Sequence, residues 1–264
     1  MQPFSHSTIQ SLCAAALALC ALGPTAATSQ ADNIPAPPPV IELFEGRWDS
    51  NHGELRLHQI YRDPYTYVIG DYADRGILVG RLAEDGRCAS GVFTNGQRNG
   101  SFQFVLGDDD PERFNGLWAW HGEPPSGEWT GRRAGPAPDT LRNFARGGVV
   151  TTTQPQDRAI LEGLYESRHG MLDVTSRDLF LLGEYADKGV IAGMWDDNRF
   201  VGRFTNGART GWFEFDVLSR TGTIRGGHWG WVGEGSSGQW QPTPYEGART
   251  MILEPLEVGG ELGC

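Results

Sequence analysis

Cysteine is scarce in this chain and lysine nearly absent. There are four cysteines, Cys13, Cys20, Cys88 and Cys264, and no pair has the spacing of a zinc site, so neither a disulfide-dense scaffold nor a zinc fold is indicated. Lys188 is the single lysine, and the formal charge is −11. With no basic stripe interleaved with aromatics, a nucleic-acid partner is excluded. Long apolar runs are missing too. Ser11–Leu22 is roughly a dozen residues, short of the roughly 20 needed to cross a bilayer. Gly23-Pro24 and the small-residue site Ser29-Gln30-Ala31 follow it, which reads as an export signal over residues 1–31 even though Met1–Gln10 holds no Lys or Arg. Leu17-Ala18-Leu19-Cys20 looks faintly like a lipoprotein signal, but Leu19 is too large to precede a modified cysteine. The mature chain is expected to be periplasmic or secreted, with no membrane span. Nucleophile elbows, phosphate-cradling loops, metal-binding His pairs and catalytic Cys contexts are absent, so no cofactor is expected and an enzyme is not indicated.

What is present is a repeat. Phe44-Glu45-Gly46-Arg47-Trp48 through His52-Gly53 returns as Leu161-Glu162-Gly163-Leu164-Tyr165 through His169-Gly170. Gly70-Asp71-Tyr72-Ala73-Asp74-Arg75-Gly76 returns as Gly183-Glu184-Tyr185-Ala186-Asp187-Lys188-Gly189. Phe93-Thr94-Asn95-Gly96 returns as Phe204-Thr205-Asn206-Gly207, and Trp118, Trp120 and Trp129 return as Trp229, Trp231 and Trp240. The offset falls from 117 at His52/His169 to 113 at Tyr72/Tyr185 and 111 at Trp118/Trp229, which puts the length changes in hairpin loops. Two copies of one folding unit follow.

Within each copy the apolar period is two, as in Leu55/Leu57, Tyr65/Tyr67/Ile69 and Phe102/Phe104, and Asp-Gly or Asn-Gly turns separate the runs. This predicts an all-β chain: two homologous antiparallel meanders of about eight short strands, each a small barrel or a strongly coiled sheet. An open sheet whose edges the other copy covers is the alternative, and recurrent glycines inside the strands favour closure. The expected order is a proline-rich linker over 32–43, the first β domain over 44–133, and a second linker over 134–158. The second β domain over 159–243 and a tail over 244–264 complete it. Thr140–Arg146 reads as a short helix capped by Asp139, and the tail carries another helix reading before Pro255.

The series Gly46-x-Trp48, Gly53-x-Leu55, Gly70-x-Tyr72, Gly76-Ile77, Gly80, Gly91-x-Phe93 and Trp129-x-Gly131-x-Arg133 resembles the Gly/Trp-rich β-meander domains of exported bacterial proteins, which have no assigned activity. Gly91 to Phe102 is similar to a single MORN-type hairpin, without that family's serial repetition. Gly46-x-Trp48 with Gly53 and Gly70-x-Tyr72 resembles the opening of an avidin-like barrel, and the pattern then drifts.

Trp118, Trp120, Trp229 and Trp231 are the candidate ligand-binding residues, because rigid strands carrying exposed aromatics stack on sugar rings or grip partners; filling a core is the plainer role. Asp108, Asp109, Asp110 and Glu112 are the one dense carboxylate cluster and the candidate calcium ligands, with a solvated loop as the alternative. Cys88 and Cys264 are a candidate disulfide. His52 and His169 each follow a serine by two residues, too close for a triad that converges from separate parts of a fold, so they read as turn residues. Asp74-Arg75-Gly76 and Asp187-Lys188-Gly189 read as turns with a possible role at a barrel mouth. The function expected is that of an exported, non-enzymatic binding protein contacting a protein or glycan of the cell envelope or extracellular space. A small-barrel inhibitor or small-ligand carrier is one alternative, and a hydrolase with an inter-copy cleft is another.

Overall fold

The computed structural model describes residues 42–62, 65–137, 140–144, 150–151, 161–177, 179–186, 188–218 and 222–247. The expected export signal over 1–31, most of the expected first linker and the tail beyond residue 247 lie outside them. The chain is all-β. Its first copy runs through β1 (Gly46–Ser50), β2 (Gly53–Arg62), β3 (Tyr65–Tyr72), β4 (Gly76–Leu82), β5 (Cys88–Asn95), β6 (Arg98–Leu106) and β7 (Arg113–Trp120). A last strand follows in two pieces, β8 (Pro125–Glu128) and β9 (Gly131–Gly135). Each strand pairs antiparallel with the next; β8 lies on β7, and β9 pairs with both β7 and β1, which closes an eight-stranded barrel.

A linker ladder of β10 (Thr140–Leu141) and β11 (Val150–Thr151) comes next. The helix expected over Thr140–Arg146 is therefore not formed: Thr140 and Leu141 are in a strand, and Arg142 to Phe144 form a bend. The second copy repeats the path through β12 (Glu162–Ser167), β13 (Gly170–Arg177), β14 (Phe180–Tyr185), β15 (Gly189–Asp196), β16 (Arg199–Asn206), β17 (Arg209–Leu218) and β18 (Thr223–Trp231). Its last strand is again in two pieces: β19 (Ser236–Trp240) lies on β18, and β20 (Thr243–Tyr245) lies on β12, so this second barrel is completed by the interrupted strand and not by one piece paired to both edges.

The interiors are filled. Trp48, Phe102, Phe104, Phe114 and Trp129 pack the first barrel, and Tyr165, Phe213, Phe215 and Trp240 the second. Strand coiling follows from paired glycines. Gly80 faces Gly91 across β4 and β5, and the Phe102 ring packs over the bare backbone; Gly193, Gly202 and Phe213 repeat the arrangement.

A third apolar cluster explains why β3, β4 and β15 are buried on both faces instead of alternating. Ile60, Tyr67, Ile69, Ile77 and Val79 of the first copy meet Phe180, Leu182, Ala192, Met194 and Val201 of the second, with Leu141 and Phe144 of the linker between them. The barrels also join by backbone, where Arg98 of β6 pairs with Arg209 of β17. Asn99 Nδ2 donates to Arg209 O at 3.0 Å, and Thr210 Oγ1, at the equivalent position, donates to Arg98 O at 3.0 Å. The reciprocity of these bonds marks a local twofold between the copies.

Candidate functional site

At one end of the first barrel the packed core stops below a recess of about 200 Å³, lined by His52, Tyr72, Arg75, Phe93, Asn95, Trp118, Trp120 and Trp129. Strand alternation brings them together: Phe93 and Asn95 end β5, Trp118 and Trp120 end β7, and Tyr72 ends β3. The walls are perpendicular aromatic rings. Trp118 and Trp120 lie 5.3 Å apart at 82°, Phe93 and Trp129 5.5 Å at 90°, and His52 and Trp118 5.8 Å at 85°. Edge-to-face contacts of this kind hold each ring in one orientation. Arg98 caps the outer wall, its guanidinium 4.1 Å from the Trp120 ring centre and its Nη2 2.8 Å from Glu123 Oε1.

The second barrel ends in the same way, with a smaller recess of about 60 Å³ lined by His169, Lys188, Phe204, Asn206, Trp229, Trp231 and Trp240. Trp229 and Trp231 lie 5.5 Å apart at 87°, Phe204 and Trp240 5.5 Å at 82°, and His169 and Trp229 5.3 Å at 78°. Arg209 lies 3.8 Å over Trp231 and pairs with Glu234 at 2.9 Å. Both recesses carry a buried donor without a hydrogen-bond partner, Trp118 Nε1 and Trp229 Nε1. Each lies over a glycine of the adjoining strand, Gly127 or Gly238.

Two turns set the rims. In the first, Ser50 Oγ accepts from His52 N at 3.2 Å and Trp129 Nε1 at 3.1 Å and donates to Gly53 O at 2.5 Å, while the His52 ring reaches Glu128 O at 2.9 Å. Ser167 repeats this with His169 N, Trp240 Nε1 and Gly170 O. Ser, His and Trp thus lock the turn to the last strand. Burial holds the His169 imidazole below its ordinary pKa, with the positive Arg168 and Lys188 acting in the same direction. In the second turn Ala73 and Asp74 take left-handed φ of 48° and 52°, as Ala186 does at 52°. That conformation is unfavourable for residues with a Cβ. Ala73 N is tied to Glu54 O and Ala186 N to Met171 O, each at 2.7 Å, and Arg75 and Lys188 are carried to the rims.

The other tryptophans of the repeat lie in the core, and the candidate carboxylates and Cys88 lie away from the recesses. Trp48, Trp129 and Trp240 are core residues, the last two also forming recess floors. Asp108, Asp110 and Glu112 each face a different arginine, Arg87, Arg113 and Arg133 respectively, and Asp109 is exposed. Among the described residues no three acidic, His or Cys side chains gather as metal ligands. Cys88 is buried and disulfide-bonded, and Cys264 lies outside the described residues. Phe93 and Asn95, with Phe204 and Asn206, line the recesses, and Arg98 and Arg209 cap their outer walls; the sequence shows these only as strand and turn residues, and their constant offset of 111 was the available signal.

Asp71 is the most buried carboxylate among the described residues of the first copy. Its Oδ2 accepts from Arg142 N of the linker at 2.5 Å and lies 3.4 Å from Arg56 Nη1. Burial pushes this carboxyl up against the pull of both partners. The group fastens the linker to the barrel. Compared with protein-family models, curated proteins and solved structures, the chain matches none.

Proposed function

We propose that this chain is an exported, non-enzymatic binding protein whose two barrel mouths contact ring-shaped groups of a glycan. One observation carries the reading: the same shell of crossed tryptophans, Phe, His, Asn and a basic rim residue is built twice, with ring geometry matching within a few tenths of an ångström. Crossed aromatic faces suit the C–H face of a sugar ring. The rim groups of Asn95 and Arg75 suit its hydroxyls. The larger recess, about 200 Å³, is below the roughly 300–1,000 Å³ of pockets for drug-sized ligands, and the barrel beneath it is packed. That supports binding of one ring of a larger molecule over carriage of a whole small molecule. The disulfide at Cys88 is in keeping with an oxidising compartment.

The test is a glycan array and a pull-down from cell envelope with the wild type and the Trp120→Ala/Trp231→Ala double variant. Both tryptophans are only partly buried, so the variant is expected to melt cooperatively and to lose glycan binding at least tenfold. Retained binding by the folded variant, or capture of a protein with no glycan signal, overturns the reading, the latter in favour of a protein partner.

A further inference from the structure

The pairing between the barrels has a geometric consequence for the two mouths. Asn95 is the cross-strand partner of Arg98, Arg98 of Arg209, and Arg209 of Asn206. Directly paired residues project from the same face of a sheet, so all four side chains emerge on one side. Asn95 belongs to one recess and Asn206 to the other, so the recesses open on a common face. Three strand spacings, roughly 15 Å at about 4.8 Å each, separate Asn95 from Asn206, the facing edges of the two recesses. The ridge between them is made by Arg98 and Arg209, each stacked on the outer tryptophan of its own recess.

Charge along this face differs from that of the whole chain. The ridge arginines are neutralised by Glu123 and Glu234. At the two ends Arg75 and Lys188 line the recesses and make no ion pair among the described residues. A chain of net charge −11 thus presents, at both equivalent positions, a cation with no carboxylate partner among the described residues. A cationic ligand, which aromatic cages otherwise suit, would meet repulsion at both ends.

From this the geometry points to a single composite site: the two mouths together bind one extended acidic glycan, a chain of carboxylated sugars that crosses the Arg98/Arg209 ridge. The inference rests on the glycan reading above and specifies its substrate class. The recesses differ where a directional chain needs them to differ. The first is large enough to take a ring, while the second, about 60 Å³, offers a stacking surface beside Lys188. Two contacts on one ligand chain gain affinity through effective concentration once the chain spans both.

The experiment is titration of the full-length protein with galacturonic acid oligomers of one to eight units and with their methyl esters, followed by tryptophan fluorescence and calorimetry. Affinity is expected to rise about tenfold or more over a narrow range of lengths, once the oligomer exceeds the roughly 15 Å between the facing rims. Esterification should remove most of it. Lys188→Glu should reduce the long oligomer to the affinity of the short one with an unchanged melting temperature. Equal affinity at all lengths overturns the composite site and leaves the glycan reading standing. Binding of neutral glycans alone overturns the acidic class. Absence of any glycan binding overturns both.

Discussion

Gly91 shows how little room the barrel wall leaves. A Cβ there would lie 2.1 Å from Val79 O and 2.4 Å from Gly80 Cα, backbone that cannot move aside. Gly91→Ala is expected to destabilise the fold by about 3 kcal/mol, the upper range for overpacking, read as a shift in the urea midpoint. Gly202→Ala should match it, since its Cβ meets Ala192 O at 2.1 Å. His169 acts through charge. Its folded-state pKa lies below the unfolded value of about 6.5, so in the window between the two the unfolded chain binds more protons. Stability is therefore full above about pH 6.5 and declines as pH falls through that window. Replacing the residue by His169→Gln should flatten the decline, as measured by denaturation at a series of pH values; an unchanged slope would assign it to other groups.

At the level of elements, the strands were legible because their apolar residues alternate and their turns carry Asn-Gly and Asp-Gly. The linker was not. Leu141 and Phe144 are spaced like one face of a helix, yet both are fully buried in the groove between the barrels, where a strand and a bend deliver them. Tertiary burial overrides local spacing at such a site. Phe144→Ala should cost about 3–5 kcal/mol and raise protease sensitivity in the linker, both measurable on the intact chain. Double-sided burial of β3 and β4 was equally hidden, since Ile69 and Val79 look like ordinary strand residues until a second barrel covers them. The candidate site was half visible. Trp118, Trp120 and their repeats stood out by residue type, whereas Asn95 and Arg98 were masked by the turn they also serve. Both recesses are built from positions the two copies share, so repetition at a constant offset, rather than residue type alone, marks their lining.

Across the whole molecule the two barrels meet as partners in a symmetric dimer would, through equivalent faces and reciprocal bonds at Asn99 and Thr210. Covalent fusion relaxes the rule that such dimers obey, namely that every interface substitution appears on both sides of the axis. Val92 packs against the shared apolar cluster, while its counterpart Arg203 donates to Phe144 O at 3.2 Å. Burial pulls that guanidinium down to about 10. A self-paired protein could introduce this cation only by desolvating two of them, which roughly doubles the penalty. One gene carrying both halves can therefore evolve its seam one residue at a time, with the second barrel free to acquire an anchor for the linker that the first never has to accommodate.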